Sequence, residues 1–556
     1  MKEWKIKQTD NLKLPNLPQY PALILKLLAL RGFTDEEKIR DFLDPDYNKL
    51  HDPFLFADMQ KAVSRIRQAV AAAELITIYA DYDADAITAA SVVYLALQKL
   101  GAKIDYYIPD RFTEGYGVNL EAVKKISEAG AKLIITVDCG TNSIEEAELC
   151  QTLGIDLIIT DHHEVTGPPA GGLPQAFALI NPKNPKDGYP FPYLTGVGVA
   201  YKLVQALDMK GWEKWLLDLV AIGTVADCQS LSGENRILVS FGLKVLKKSR
   251  WPGVAALIKA VGVDLRSLDT YTLGFLLAPR INAAGRLTHA SAAFKLLTAN
   301  DPHEAVTLAK ELNELNIRRQ MLTDQVLSEA RAQVELAVEK KVFVLHSEDW
   351  PKGIVGLVAG KLAEEFSRPV LVMEKGEIFA TGSARSVADF DLVAALNFAK
   401  DYLQKFGGHT QAAGFTLVVE HIEAFHQKLL EYAESINFMI VPPSLELDAV
   451  LQPSDISWEN YDMLKQFAPF GIGNRKPRFA GFGLKVLDLR TVGNASKHLK
   501  SCLAFGEHTL DAIAFNQGFI ANTLKIGDTV DAAFELNANE WNGNKSLQLK
   551  ILDIKA

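Results

Sequence analysis

The stretch Leu75-Ile-Thr-Ile-Tyr-Ala-Asp-Tyr-Asp-Ala-Asp85 decides the fold, because an apolar strand pattern ends in three aspartates at alternate positions. Two carboxylates ~4 Å apart repel by roughly 4 kcal/mol at an effective dielectric of about 20. Several ionised aspartates in one loop are therefore costly unless a cation lies among them. The stretch predicts a divalent metal site at the end of a buried strand.

The same pattern recurs further along the chain. Three more apolar runs, each expected to be a strand, end in acidic or imidazole side chains: Asp138, Asp161-His162-His163 and Asp227. Stretches with apolar residues at helical spacing separate the first three strands, at 87–100, 120–129 and 144–153. Alternation of strand and helix predicts an α/β fold with a parallel, doubly wound sheet. The carboxyl ends of its strands, and thus these side chains, would meet at one edge.

The donor types indicate which metal this edge would bind. Carboxylates and imidazoles without thiolates suit Mg²⁺ or Mn²⁺ better than a structural zinc ion. A single aspartate after a strand is as often a helix N-cap or a turn residue. Four strand ends with the same chemistry favour the metal site.

The order of these motifs resembles a known family. The segments Asp81-Tyr-Asp-Ala-Asp85, Val137-Asp-Cys-Gly140, Asp161-His-His163 and Gly223-Thr-Val-Ala-Asp227 resemble the four motifs of the DHH phosphoesterases. The segment Ala278-Pro-Arg-Ile-Asn-Ala-Ala-Gly-Arg286 is similar to a loop that follows the sheet in that family. Gly407-Gly-His-Thr-Gln-Ala-Ala-Gly-Phe415 is similar to the glycine-rich motif of the DHH-associated domain.

Within the DHH phosphoesterases, the chain most resembles the exonucleases specific for single-stranded DNA. This resemblance implies a two-metal enzyme that uses Mn²⁺ or Mg²⁺ to hydrolyse single-stranded DNA from the 5′ end to mononucleotides, in DNA recombination and repair. It implies that Asp138 bridges the metals and that the other ligands are Asp83, Asp85, His162 and Asp227. It implies that His163 donates a hydrogen bond or proton to the phosphate and that Asp81 lies beside the metals.

The resemblance also implies a set of residues that bind the DNA. Arg111, Ser383 and Arg385 would hold the terminal 5′ phosphate. The backbone near the scissile bond would contact Arg280, Asn282 and Arg286. The residue patterns add two candidates, which are His409 in the glycine-rich segment and Trp541, a base-stacking candidate in a turn-rich segment.

The element pattern divides the chain into five parts. These are a helical N-terminal extension (1–74), a DHH domain (75–298), a connecting helix (299–340), a second α/β domain (341–440) and an OB-like β-barrel (441–556). Thr34 is the predicted N-cap of a short helix in the extension. Frequent turn signals after Pro442-Pro443 indicate the barrel.

Composition bounds the function more weakly. The net charge of −9 argues against nucleic acid only if the basic residues are spread evenly. No apolar run reaches the ~18 to 20 residues of a membrane span, and the N-terminus lacks a signal-peptide pattern. We therefore expect a cytoplasmic, monomeric protein without a membrane partner. A single-strand-binding protein and a helicase are candidate protein partners.

Two other functions remain open at this point. One is a DHH enzyme for oligoribonucleotides or nucleotide phosphates, although such chains usually lack the barrel. The other is a catalytically weak nucleic-acid-binding scaffold. Ala80 and Ala86 stand where the DHH family usually has glycine, so a positive φ at either position would distort the aspartate loop and lower activity.

Overall fold

The structure is a computed structural model that describes residues 3–8, 12–165, 172–541 and 543–555. The chain forms two compact units. The first unit comprises Met1–Leu50, Ser230–Ser232 and Pro442–Ala556, and the second comprises His51–Gln229 and Gly233–Val441.

The N-terminal region contributes one strand and three helices: β1 Glu3–Ile6, α1 Ala22–Leu30, α2 Glu36–Leu43 and α3 Met59–Ala71. The first three belong to the first unit and α3 to the second. Helix α2 begins one residue later than the sequence predicts. Asp35, not Thr34, is its N-cap, because the Asp35 side chain accepts a hydrogen bond from the backbone N–H of Lys38.

After α3, the second unit continues with a five-stranded sheet, whose strands are β2 Leu75–Ala80, β3 Lys103–Tyr107, β4 Leu133–Val137, β5 Asp156–Thr160 and β6 Ala178–Ile180. Helices lie between and after them: α4 Ala84–Lys99, α5 Leu120–Glu128, α6 Ile144–Thr152 and α7 Gly196–Ala206. All strands are parallel, in the order β3-β2-β4-β5-β6. The predicted doubly wound α/β fold is confirmed. The strands that precede Asp81, Asp138 and Asp161 end where the sequence indicates.

The apolar run before Asp227 is a helix, so the predicted fourth strand end is wrong. Helix α8 spans Leu217–Ala226 and is buried over most of its surface. A continuous apolar run has no period that separates a buried strand from a buried helix. Four more helices complete this domain: α9 Gly233–Leu246, α10 Pro252–Val261, α11 Ala278–Leu287 and α12 Ser291–Thr298. Residues 278–286, expected in a loop, therefore lie in α11.

A helix of 34 residues, α13 Pro302–Glu335, follows. Its N-cap is Asp301, whose side chain accepts hydrogen bonds from the N–H groups of His303 and Glu304. The helix packs on α10, α11 and α12. It also packs on the next domain, so it is a scaffold between the two α/β domains of the second unit.

The second α/β domain consists of β7 Phe343–Ser347, α14 Lys352–Phe366, β8 Val370–Lys375, β9 Phe379–Arg385, α15 Leu392–Phe398, β10 Leu403–His409, β11 Ala412–Val418 and α16 Ile422–Ser435. Its sheet has the order β10-β11-β9-β8-β7 and is antiparallel except for the β7–β8 pair. Ser383 and Arg385 lie on strand β9, not in the expected turn. Buried and partly exposed residues alternate along β9, as a half-buried strand requires.

The C-terminal part contains β12 Ser444–Leu447, β13 Ala449–Val450, α17 Trp458–Lys465, β14 Phe479–Val492, β15 His498–Phe505, β16 His508–Ala514, β17 Thr529–Trp541 and β18 Asn544–Lys555. Strand β14 pairs with both β15 and β17, which closes a five-stranded barrel. The predicted barrel is confirmed. Among the helices of the described residues, none combines the length and apolar composition needed to cross a membrane.

Candidate active site

Four acidic residues and one histidine converge at the carboxyl edge of the parallel sheet. We call them the carboxylate cluster: Asp81, Asp85, Asp138, His162 and Asp227. The His162 Nε2 atom lies 3.1 Å from Asp138 Oδ1, 3.8 Å from Asp227 Oδ2 and 4.0 Å from Asp85 Oδ2. Two overlapping groups of donor atoms, each within 4.8 Å of one another, could hold a metal ion: Asp85, His162 and Asp227, and Asp138, His162 and His163.

The carboxylate cluster lacks positive charge among its own side chains. Burial, reinforced by neighbouring aspartates, raises the pKa of Asp81, Asp85 and Asp138, and it raises the pKa of Asp227 to about 7. Burial lowers the pKa of His162 to about 3, so its imidazole is neutral. One buried oxygen of Asp81, Asp138 and Asp227 has no hydrogen-bond partner. This donor set fits a hard divalent cation.

Backbone geometry holds two of these carboxylates close together. Asp138 has φ of 60°, a left-handed conformation that aspartate tolerates better than most residues. A Cβ atom on Gly196 would lie 2.3 Å from Asp138 Oδ1, so only glycine fits there. The N–H groups of Gly196 and Val197, in the first turn of α7, donate to the two oxygens of Asp85 at 2.7 and 2.9 Å.

Asp83 serves the local backbone as well. Its Oδ1 accepts from the N–H of Ala86 at 3.0 Å, which makes Asp83 the N-cap of α4. It lies outside both groups of donor atoms, yet its charge contributes to the raised pKa of Asp81, Asp85, Asp138 and Asp227. Neither Ala80 nor Ala86 has a positive φ, so the strain considered from the sequence does not arise.

His163 is oriented by Asp161, a residue to which the sequence assigned no separate role. Asp161 accepts from the N–H groups of Thr141 and His162, at 2.9 and 2.7 Å, and its Oδ1 lies 2.7 Å from His163 Nδ1. Burial alone would lower the pKa of His163, but the hydrogen bond to Asp161 and the charges of Asp161, Asp227 and Asp83 together outweigh it and raise that pKa. The other ring nitrogen, Nε2, lies 3.0 Å from the Tyr116 hydroxyl. Asp161 thus fixes which nitrogen can face a substrate.

Beside the carboxylate cluster lies a set of guanidinium groups that we call the arginine cluster: Arg111, Arg286, Arg319 and Arg385. Burial and then the charges of Arg111, Arg319 and Arg385 lower the pKa of Arg286 to about 10, whereas Asp83 raises it. Arg286 is therefore close to the other arginines and to Asp83 of the aspartate loop. Its Nη1 donates to the carbonyl of Gly353 at 3.1 Å. Like charges at this density fit an anionic ligand.

Helix α11 presents the other residues that were expected to contact DNA. Asn282 Oδ1 accepts from the N–H of Ala84 at 2.9 Å, which ties α11 to the start of α4. Arg280 donates to Asn313 Oδ1 at 3.0 Å and to the carbonyl of Leu276 at 2.6 Å. Asn282 thus touches the loop that carries Asp83 and Asp85, while Arg280 faces α13.

Strand register relates the expected phosphate-binding residues of the second α/β domain. Arg385 pairs with Ala412, and Ala412 pairs with His409. His409 and Arg385 therefore share one face of the sheet, ~10 Å apart from the strand spacing. On that face, a Cβ atom on Gly356 of α14 would lie 3.4 Å from Arg385 Nη2 and 3.3 Å from Ser383 Oγ. The helix thus packs directly on the Ser383 and Arg385 side chains.

The remaining residues to compare with the sequence analysis are the aromatic residues of the barrel and Arg319. The Trp541 side chain lies outside the described part of the structure, although its backbone ends strand β17. Among the other aromatic residues of the barrel region, Phe505 is buried, whereas Phe515 and Phe519 are exposed. Arg319, which follows Arg318 in the sequence, was not among the predicted site residues. Its signal was weak, because one arginine on a long helix usually faces solvent.

A parallel sheet whose carboxyl edge carries aspartates and histidines arranged for divalent metal ions, beside an anion-binding arginine cluster, defines a metal-dependent phosphoesterase of the DHH type. Sequence models of three families match: the DHH family N-terminal domain at residues 75–224, the DHHA1 domain at 339–435 and the RecJ OB domain at 447–553.

Relatives of known name narrow the class. The chain is 40% identical over 562 residues to "Single-stranded-DNA-specific exonuclease RecJ" of Bacillus subtilis (strain 168), covering 99% of this chain and 70% of the relative. Its structure superposes on RecJ from Thermus thermophilus in complex with Mn²⁺, with a TM-score of 0.84, 30% identity, and coverage of 100% of this chain and 79% of the other. For the Mg²⁺ complex of that protein, the TM-score is 0.77 and the identity 28%, with coverage of 100% of this chain and 78% of the other. The chain belongs to the RecJ family.

Proposed function

We propose that this protein is an exonuclease that hydrolyses single-stranded DNA from the 5′ end to mononucleotides, with Mn²⁺ or Mg²⁺. The observation that carries the proposal is that Arg286, a member of the arginine cluster, lies beside the aspartate loop in the second unit, since a Cβ atom on the preceding Gly285 would lie 2.8 Å from the carbonyl oxygen of Tyr82. One cluster suits metal ions and the other suits phosphate. A DNA strand that ends in the arginine cluster would place a phosphodiester at the carboxylate cluster.

The ligand roles are those that the family resemblance implies, and the two groups of donor atoms support them for Asp85, Asp138, His162 and Asp227. Asp138 would bridge two ions, Asp83 would complete one site, and Asp85, His162 and Asp227 would hold the other. Asp81 lies beside them with one unpaired buried oxygen. When bound, two such ions supply the Lewis acidity that activates water and neutralises charge on the phosphodiester. The neutral imidazole of His162 supports its assignment as a ligand, since a protonated ring cannot bind metal.

His163 is the proposed donor to the phosphate. Its Nδ1 is engaged by Asp161, so Nε2 is the nitrogen that can reach a substrate oxygen. The raised pKa of His163 supports a protonated ring, which can donate from Nε2 to a phosphate oxygen. The Tyr116 hydroxyl, now 3.0 Å from Nε2, would give way to that oxygen.

The 5′ phosphate would bind Arg111, Ser383 and Arg385. The Arg111 guanidinium lies 4.8 Å from the centre of the Tyr82 ring, which fixes its direction. Beside these residues α11 and α14 meet, because a Cβ atom on Gly353 would lie 2.1 Å from the carbonyl oxygen of Arg286. This backbone contact supports a pocket closed at one end. A closed pocket explains attack on a terminus rather than within a strand, and a narrow one favours a single strand.

The C-terminal barrel supports a polynucleotide substrate. OB barrels bind single strands through aromatic platforms and basic grooves. Phe515 and Phe519 are exposed on this barrel, and Trp541 at the end of β17 remains a stacking candidate. His409, exposed on β10, is a further proposed phosphate contact. The small-substrate and scaffold alternatives lack an observation that favours them here.

The decisive experiment compares single-stranded oligonucleotides with a 5′ phosphate and a 5′ hydroxyl, with Mn²⁺ present. We expect mononucleotides from the 5′ end and a preference of about tenfold or more for the phosphorylated substrate. Arg385→Met should abolish that preference. Lys405→Met, which removes an exposed cation from the same sheet, should retain it. Release from the 3′ end, or an unchanged preference in Arg385→Met, would contradict the proposal.

Three further expectations accompany this function. They are a cytoplasmic location, a monomeric state and cooperation with a single-strand-binding protein or a helicase in DNA recombination and repair. Gel filtration coupled to light scattering would test the second, and pull-down with purified partners would test the third.

A further inference from the structure

Two neighbouring aromatic side chains are unusually exposed on the second unit. Tyr271 and Phe275 expose 59% and 67% of their surface. Their rings stack on each other, with centroids 4.9 Å apart and planes inclined by 20°. Aromatic rings normally pack against other apolar groups. A stacked pair that is exposed therefore indicates a surface that binds a flat ligand.

The pair lies directly before the helix that carries the DNA-contacting candidates. Thr272–Leu277 forms a π-helical segment that runs without a break into α11. Segments of π-helix are rare and occur often at functional sites. Tyr271, Phe275, Asn282 and Arg286 are exposed or partly exposed, whereas positions 272, 273, 277, 278, 281 and 283–285 of the same helical run are buried, so the four residues lie on its outward side. The rings therefore share a face with Asn282, which contacts the aspartate loop, and with Arg286, which lies in the arginine cluster.

The order of the residues along this face shows on which side of the metal-binding loop the two rings lie. Arg286 lies beside the proposed 5′-phosphate pocket, and Asn282 lies beside the metal-binding loop. Phe275 lies seven positions before Asn282, which is ~10 Å along a helix axis. The rings thus lie beyond the metal-binding loop on the side away from the pocket, where the rest of a bound strand must pass.

The segment under the rings is held firmly in place. A Cβ atom on Gly274 would lie 3.2 Å from the Val225 side chain, so the segment packs on α8 near Asp227. The carbonyl of Leu276 accepts from Arg280 Nη1 at 2.6 Å. The rings therefore stand on a rigid base, and a guanidinium group lies next to them.

We propose that Tyr271 and Phe275 form a stacking platform for a nucleobase of the single-stranded substrate, on the 3′ side of the scissile phosphodiester. The proposal rests on the proposed function. Every base has a π-face, so such a platform binds without sequence preference. The adjacent Arg280 would hold the backbone of the same nucleotide. The continuity of this face with Asn282 and Arg286 argues for the substrate strand as its occupant.

The test is steady-state hydrolysis of a 5′-phosphorylated strand of ~12 nucleotides, within the usual range of single-strand site sizes. Phe275→Ala should raise KM by about five- to tenfold, the lower end for one stacked base, and leave kcat unchanged. Phe275→Trp should restore the wild-type KM. Phe379→Ala is the matched control, because Phe379 is 50% exposed in the other α/β domain; its KM should equal that of wild type.

A second substrate separates stacking from a change of structure. In it, every nucleotide after the first, and thus every nucleotide on the 3′ side of the first scissile phosphodiester, carries no base. Wild type and Phe275→Ala should have equal KM values on this strand, since there is no base to stack. The inference is overturned if Phe275→Ala matches wild type on the ordinary strand, or if its defect persists on the abasic strand. If the wild-type protein does not hydrolyse single-stranded DNA at all, the proposed function fails and this inference fails with it.

Discussion

The carboxylate cluster and the arginine cluster lie side by side in the second unit, and each lacks opposite charge among its own side chains. Burial, reinforced by the neighbouring carboxylates, raises the pKa of Asp81, Asp85 and Asp138, which means that the folded chain resists their ionisation. Burial, reinforced by the neighbouring guanidinium groups, lowers the pKa of Arg286, so the folded chain resists its protonation. A fold selected only for stability would have paired these charges with each other.

The difference between the two clusters indicates what each one binds. Carboxylates with unpaired buried oxygens need a cation to balance their charge, and clustered arginines on a rigid surface need an anion. Metal ions and a phosphodiester satisfy both at once. Perturbed groups therefore point to the substrate more directly than the net charge of −9, which describes the whole surface.

The largest expected effect comes from the carboxylate cluster. Asparagine at position 138 tolerates the left-handed φ of 60° but removes the charge. Asp138→Asn should lower kcat/KM by about 10³-fold or more and weaken Mn²⁺ binding, measured by nuclease assay and calorimetry. Without metal it should melt at or above the wild-type temperature, because one repulsive charge is gone. The control Asp105→Asn, at an exposed position in the same sheet, should behave as wild type.

The second-largest effect is expected on stability and comes from Asp218, a buried residue that belongs to neither cluster. Asp218 is fully buried at the start of α8, and burial raises its pKa to about 7. The unfolded carboxyl ionises near pH 4, so its ionisation disfavours folding increasingly between about pH 4 and 7. The penalty is absent below that window and complete above it. Asp218→Asn should thus gain stability over wild type as pH rises, by up to about 4 kcal/mol at pH 8.

Denaturant unfolding at pH 4, 6 and 8 would measure this difference. A difference that stays constant with pH would show that Asp218 is neutralised by a partner, and that burial alone does not produce such shifts here. The result would show how much of the rise in the pKa values of the carboxylate cluster comes from burial and how much comes from repulsion between carboxylates.

A smaller effect is expected within the arginine cluster. Arg319 contributes to the lowered pKa of both Arg280 and Arg286, and its buried Nε has no hydrogen-bond partner. Arg319→Gln should raise KM for single-stranded DNA by about tenfold and reduce the salt dependence of binding by about one phosphate contact. The exposed neighbour provides the control, since Arg318→Gln should alter neither. Equal effects of the two substitutions would place Arg319 outside the DNA path.

These residues also show what sequence reasoning could reach. Asp81, Asp138 and His162 were predictable, because each follows an apolar strand and the carboxyl ends of parallel strands must meet. Asp227 was correctly grouped with them although its strand is a helix, since both kinds of element end at the same edge. An apolar run without polar interruption carries no period that could have revealed α8.

Other contacts depend on distances that sequence does not encode. Arg319 meets Arg286 only because α13 packs across α11. The hydrogen bond from His163 Nδ1 to Asp161 is local, and its signal was present in the three adjacent residues of the motif. From the sequence, Asp161 could either bind a metal ion or orient the ring of His163. Only the structure shows the second role, through the hydrogen bond between them.

The smallest expected effect tests how the arginine cluster is positioned. A methyl group at position 356 would lie 3.3 to 3.4 Å from Ser383 and Arg385, so the guanidinium must shift by a few tenths of an ångström. Gly356→Ala should reduce the preference for a 5′ phosphate by about two- to fivefold, an effect below about 1 kcal/mol. Stability should hold or increase, because alanine favours helix over glycine. Gly360→Ala is the control: its methyl group would lie 3.8 Å from Arg385 Cγ, an ordinary contact. Equal phosphate preference in the two variants would show that Arg385 does not need this exact placement.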